Sequence, residues 1–175
     1  FTGGEPTLRS DLSELVTYAS KKGMMVTIAT NGFNLYEQLS KGNLTDAEMF
    51  MVSLDWPDKR HDEYRGIPIF EKAIKGIRAA ILLRKKVIIS TVVTKDNIGY
   101  MEEMCQLAGK LGAIIELLPC EDIIRDMNNN SHHVHTIDNY IPDLNHWANE
   151  IHRLKAIYSH LSTDSVTANI IRNGG

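Results

Sequence analysis

Long hydrophobic runs are missing. No apolar stretch reaches the ~18 residues of a membrane span, and the mean hydropathy is −0.21, so the sequence reads as a soluble domain. Cysteine is scarce. Cys105 and Cys120 are the two in the chain, too few for a disulfide framework or a four-cysteine metal site. An excess of either charge is also lacking: 19 basic against 22 acidic residues leave a net charge of −3. That argues against a nucleic-acid partner held by overall charge. Internal repeats and low-complexity tracts are absent. What remains is 175 residues, 43% of them hydrophobic, enough for one domain with its own core.

One pattern then runs along the chain. Leu8, Leu12, Leu15, Val16 and Ala19 follow helical spacing and stop at Gly23. Met24–Thr30 reads as a buried strand closed by the Asn31-Gly32 turn. A short helix over 33–41 leads to a second strand at Met49–Leu54. Phe70, Ala73, Ile74, Ile77 and Ile81 mark the next helix, and Val87–Val93 is the most β-branched strand. Met101, Met104, Cys105, Ala108 and Leu111 form one face of a helix over 99–111, before a strand at Ala113–Leu118. A polar loop over 121–138 precedes a long helix over 140–161, with Leu144, Trp147, Ile151, Leu154, Tyr158 and Leu161 facing inward. The methionines read as core.

Strands and helices thus alternate at about 25–35 residues per unit, as βαβ crossovers in a parallel sheet do. The expected class is α/β, either part of a barrel or a doubly wound sheet. Both bind ligands at the C-terminal ends of their strands. The opening Phe1–Pro6 reads as the tail of a further strand, and the chain as a piece of a longer protein. Residues 1–120 are expected to form the core and 121–175 an extension of the same domain.

The strand ends carry the candidates. Gly3 and Gly4 let backbone approach a ligand or simply turn the chain, and Glu5 beside them suits an ammonium group. Thr30-Asn31-Gly32 is a polar turn. Alternation puts Ser53 and Asp55 on one face, a pair suited to a sugar diol or to capping a loop. His61–Gly66 reads by itself as a solvated loop. His132, His133 and His135 lack a carboxylate or cysteine at ligand spacing, so no metal is assigned to them. The run Arg84-Lys85-Lys86 complements a helix C-terminus.

In their order, these strand ends resemble the radical S-adenosylmethionine (radical SAM) enzymes. The residues carrying the match are Thr2–Pro6, Thr30–Gly32, Ser53–Asp55 with His61-Asp62 and Arg65-Gly66, Thr91–Asn97 and Ile115–Pro119. The flavour is that of the molybdenum-cofactor protein A and peptide-maturase branches. The resemblance implies a partial (βα)6 TIM-like barrel lacking its first strand and most of its second. It implies a reaction in which S-adenosylmethionine is reductively cleaved at a 4Fe–4S cluster, giving a 5′-deoxyadenosyl radical that takes hydrogen from a substrate. It assigns Gly3, Gly4 and Glu5 to the methionyl amino group and Ser53 to the ribose or carboxylate, with Asp55 as its neighbour. Leu118 is assigned to adenine, and Asn31 and Arg65 to the substrate side or the carboxylate.

The family's CxxxCxxC loop does not occur here, so the cluster ligands are expected upstream and no catalytic residue is assigned within this chain. Trp56 stands where many members have glycine. The implied partners are a small-molecule or peptide substrate and an external electron donor, with no membrane, and cytoplasm is the default compartment. Two other readings stay open: a non-catalytic scaffold derived from the same fold, or an ordinary barrel enzyme acting on a phosphorylated metabolite. Against the latter, Pro119-Cys120-Glu121-Asp122 would repel phosphate where a cradle is needed.

Overall fold

The computed structural model describes residues 1–120, 140–164 and Ala168. The polar loop, the three loop histidines and the C-terminal tail fall outside the described residues.

Four parallel strands, β1 (Thr27–Thr30), β2 (Met49–Ser53), β3 (Lys86–Val93) and β4 (Ile114–Pro119), pair in sequence order. Helices follow them: α1 (Leu12–Lys21) before β1, then α2 (Leu35–Ser40), α3 (Arg60–Arg65), α4 (Phe70–Leu82), α5 (Met101–Leu111) and α6 (Leu144–Ile157). Both edges of the sheet are engaged. The Phe1 amino group donates to the Thr27 carbonyl at 2.7 Å, and Ala29 N–H donates to the Phe1 carbonyl at 2.9 Å. On the far side Leu161 bridges Ile115 in parallel, and Leu117 N–H donates to Thr163 Oγ1 at 2.7 Å. The architecture is a partial α/β barrel.

Alternation sorts each strand into two faces. Ile28, Phe50, Val52, Val87, Ile89, Ile115 and Leu117 are buried against the helices, each burial contributing roughly 1.5–3 kcal/mol. The other face is the barrel interior, and the strand register stacks it in rows. Ala29, Met51, Ile88 and Ile114 form an apolar row. One step towards the strand ends Ser53, Ser90 and Glu116 form a polar row. Above them Val92 and Leu118 pair as a rim, 39% and 42% exposed.

Several sequence expectations need correction. The first strand begins at Thr27, because pairing with β2 starts at Thr27 opposite Met49; Met24 and Met25 precede it and are 59% and 77% exposed rather than core. Leu8 is exposed because it lies in a 3₁₀ turn (Pro6–Leu8), and α1 starts at Leu12. The last helix is shorter than expected. Asp143 caps its start by accepting from His146 N–H, which leaves Leu144 in its exposed first turn, while residues beyond Ile157 turn back to join β4. The expected solvated loop at 61–66 is the short helix α3, whose His61 is buried.

Candidate functional site

The segment after Phe1 turns sharply. Gly3 takes φ +127°, a conformation that side chains resist, and a Cβ on Gly3 or Gly4 would meet no atom of the described residues beyond its chain neighbours within 4 Å. Glu5 then caps the 3₁₀ turn. Its Oε1 accepts from Thr7 N–H at 3.0 Å, Thr7 Oγ1 at 2.6 Å and Thr30 Oγ1 at 2.7 Å, and its Oε2 from Asn31 N–H at 2.6 Å. All four donors are neutral. They order the carboxylate, leave its charge uncompensated, and leave acceptor capacity on Oε2.

Asn31 turns the chain after β1 by accepting from Phe33 N–H at 2.9 Å. Gly32 follows with φ +83°, where a Cβ would stand 2.9 Å from the backbone of Ala73. Glycine is therefore required where the turn meets α4.

The loop after β2 is built differently. Strand geometry ends at Ser53, so alternation no longer governs Asp55. Its carboxylate is 1% exposed; Oδ1 accepts from Val92 N–H at 3.0 Å and Oδ2 from Arg65 Nη2 at 2.5 Å. The expectation that Ser53 and Asp55 point together at a sugar diol is corrected: Asp55 is spent beneath the mouth, tying β3 and α3 to the loop. His61 Nδ1 accepts the Asp55 N–H at 3.2 Å. Burial pushes His61 below its usual pKa, against the pull of Asp55. Asp62 caps α4 by accepting from Ile69 and Phe70 N–H at 2.7 and 2.6 Å.

The Thr91–Asn97 stretch fastens the same loop. Thr91 Oγ1 donates to the Leu54 carbonyl at 2.7 Å, and Asn97 Nδ2 donates to the carbonyls of Asp55 and Val92, both at 2.9 Å. Outside it, Arg60 lies 3.9 Å from the Tyr100 ring centroid and 4.9 Å from that of Trp56. Trp56 thus anchors the loop by stacking.

A cleft of about 320 Å³ opens at the strand ends, lined by Thr2, Gly3, Gly4, Glu5, Ala29, Thr30, Asn31, Ser53 and Arg65. Six of the eight candidate residues meet there. Asp55 lies beneath it, reaching it only through Arg65, and Leu118 stands apart on the interior rim. Sequence reasoning gave no role to Ser90 and Glu116, which the register places beside Ser53. Odd-even alternation within β3 and β4 was the available signal, but their offset from β2 was not.

The cleft carries two opposite poles: the Glu5 carboxylate, and the Arg65 guanidinium fixed at one nitrogen by Asp55. Between them lie open glycine backbone and the Ser53 hydroxyl. That set suits a zwitterionic amino-acid group carried next to a hydroxyl-bearing one. A cluster has no such fit. Cys105 is buried, its thiol pushed up to about 12 by that burial, and among the described residues no group of three or more His, Cys, Asp or Glu is placed to hold a metal. No helix among the described residues is long and apolar enough to cross a membrane.

Residues 1–108 match the Radical SAM superfamily. The AdoMet-dependent heme synthase of Nitratidesulfovibrio vulgaris is 32% identical over 117 residues, 65% of this chain and 32% of that protein. The probable GTP 3′,8-cyclase of Pyrococcus horikoshii is 32% identical over 130 residues, 73% of this chain and 42% of its own length. Among solved structures, SuiB of Streptococcus suis bound to S-adenosylmethionine superposes with a TM-score of 0.62 at 20% identity, covering 98% of this chain and 34% of that one; this likeness supports the fold alone. The chain spans about a third of the length of the first curated relatives it matches. With a family match across more than half its length, the chain belongs to the radical SAM superfamily.

Proposed function

We propose that this chain supplies the S-adenosylmethionine-binding wall of a radical SAM enzyme acting on a small-molecule or peptide substrate. The observation that carries this reading is the two-pole cleft at the strand ends. Glu5 would take the methionyl ammonium, Arg65 the carboxylate and Ser53 the ribose or carboxylate, with Gly3 and Gly4 offering backbone groups. The open space at both glycines favours close approach of a bound molecule, since no described residue beyond the chain neighbours comes within 4 Å of it. Asn31 has an amide N–H₂ without a protein acceptor among the described residues, and serves the same wall. Leu118, with Val92 opposite, offers the apolar surface an adenine needs.

A 4Fe–4S cluster held by residues outside this chain would supply the electron for reductive cleavage of S-adenosylmethionine bound at this wall. Two cysteines cannot provide the three thiolates, so those ligands come from outside these 175 residues, and an external donor provides the electron. This chain's contribution would be orientation: it holds the amino-acid group at two points, Glu5 and Arg65, with the Ser53 hydroxyl offered to the ribose.

The test uses the full-length protein that contains this chain, reconstituted anaerobically with iron and sulfide, reduced, and supplied with S-adenosylmethionine. The wild type produces 5′-deoxyadenosine. Glu5→Ala lowers the rate about 100-fold, the loss of a charge-assisted contact worth roughly 2–3 kcal/mol, and Ser53→Ala lowers it less. Undiminished product from Glu5→Ala, or a protein that takes up no cluster, overturns the reading.

A further inference from the structure

Arg65 is a cation whose placement is decided by another residue. Its side chain is 35% exposed on the cleft while its partner, Asp55, is 1% exposed. Among the described residues its one hydrogen bond runs from Nη2 to Asp55 Oδ2 at 2.5 Å, and its guanidinium carbon lies 5.8 Å from the Tyr64 ring centroid, a loose contact that leaves the other nitrogens open. The rest of the guanidinium fork has no protein acceptor among the described residues. Asp55 cannot follow Arg65 outward. Its other oxygen holds Val92 N–H, its carbonyl is held by Asn97 Nδ2, and its N–H is held by the buried His61 ring.

We propose that Asp55 is a positioning residue for carboxylate recognition: it anchors one nitrogen of Arg65 so that the remaining N–H donors face the cleft as a preset receptor for the methionyl carboxylate. This rests on the cofactor reading above. The physical gain is preorganisation. A free arginine side chain samples many rotamers, and a buried anchor removes that freedom before the ligand arrives. The planar fork matters as much as the charge. It can meet Asp55 on one side and a second carboxylate on the other, which an ammonium group does less well. Asp55 touches no ligand in this scheme, so its effect passes through Arg65.

The experiment measures equilibrium binding of two probes to the full-length, cluster-loaded protein: S-adenosylmethionine, and its decarboxylated analogue with the same sulfonium, ribose and adenine. The wild type prefers the carboxylate-bearing probe by at least about 10-fold. Arg65→Ala loses that preference. Asp55→Asn, nearly isosteric but uncharged, brings the preference within about 3-fold while affinity for the analogue moves less than 2-fold. Arg65→Lys behaves the same way, since it keeps the charge and loses the fork.

Unchanged affinity for the analogue also certifies that the site is folded. A merely structural Asp55 would lower both affinities together, and that result overturns the proposal. Full preference in Asp55→Asn or in Arg65→Lys overturns it too. A wild type with no preference, or an Arg65→Ala that keeps it, instead removes Arg65 from the carboxylate subsite and takes the proposal down with that assignment. The two failures are thereby distinguishable.

Discussion

Two carboxylates organise the mouth of this partial barrel, and they do so in opposite ways. Glu5 is half-buried and receives four neutral donors, from Thr7, Thr30 and Asn31. Asp55 is fully buried and receives one backbone N–H and one guanidinium. The first keeps its negative charge at the cleft; the second surrenders its charge to Arg65, so that the cleft sees a cation. The same residue chemistry therefore produces poles of opposite sign, and the deciding variable is the partner. A carboxylate held by neutral groups remains available to a ligand, whereas one held by a cation acts as scaffold.

The sharpest way to break this comparison is to remove each carboxylate and read stability and binding separately. Asp55→Ala strands the Val92 N–H and unpairs Arg65, costing about 3 kcal/mol after allowance for the solvent around the arginine. In equilibrium urea unfolding that lowers the midpoint by roughly 1.5 M for an m-value near 2 kcal/mol/M. Glu5→Ala frees its donors close to an open cleft where water reaches them, and costs about 1–2 kcal/mol. Affinity for S-adenosylmethionine orders the other way, falling further in Glu5→Ala than in Asp55→Asn. A Glu5→Ala protein less stable than Asp55→Ala would refute the division into ligand pole and scaffold.

How much of this was legible beforehand follows the same division. The four strands and the helices between them follow from apolar periodicity, and the meeting of Gly3, Gly4, Glu5, Asn31 and Ser53 from strand-end position, both local signals; Arg65, well beyond the end of β2, is reached only through the family resemblance. Asp55 was misplaced because alternation was extended two residues past the end of β2, into a segment governed by hydrogen bonds to Val92, Asn97 and Arg65. Those partners lie 10 to 42 residues away, beyond any periodic pattern. His61 reads as loop from sequence because a one-residue burial inside a charged hexapeptide leaves no period to detect. Met24 and Met25 read as strand on composition, but where a strand starts is set by its neighbour's register. Glu116 needed that register as well.

A second prediction sharpens the comparison through pH. His61 belongs to the Asp55 side and contacts its backbone; among the described residues no histidine hydrogen-bonds Glu5. Burial depresses the His61 pKa below its ordinary 6.5, with Arg65 acting in the same direction and Asp55 and Asp62 opposing. The unfolded chain therefore binds a proton near pH 6 that the folded chain refuses. Stability from this group is complete above pH 6.5 and is lost as pH falls through 6.5 towards the folded value. The limiting slope is about 1.4 kcal/mol per pH unit for one proton. Urea midpoints between pH 7.5 and 5.5 decline accordingly, and His61→Asn flattens that part of the profile. A profile unchanged by His61→Asn would mean that the ring accepts its proton without disturbing the Asp55 loop.

The smallest effect tests whether the Glu5 pole is held redundantly. Thr7 Oγ1 and Thr30 Oγ1 both donate to Glu5 Oε1, at 2.6 and 2.7 Å, and both threonines are 3% exposed. They differ in one respect: Thr30 Oγ1 also accepts from Gly32 N–H at 3.0 Å. Thr7→Val keeps the shape and the backbone N–H bond to Glu5, so it removes one donor of four and costs about 1 kcal/mol. Thr30→Val additionally leaves the Gly32 N–H without its acceptor at the turn that must pass against Ala73, and costs about 2 kcal/mol. Affinity for S-adenosylmethionine changes less than 2-fold in Thr7→Val, because three donors still orient the carboxylate and its charge is untouched. If instead Thr7→Val weakens binding as much as Glu5→Ala does, the aim of the carboxylate, rather than its charge, is what the cleft supplies, and the ligand pole is as finely positioned as the arginine opposite it.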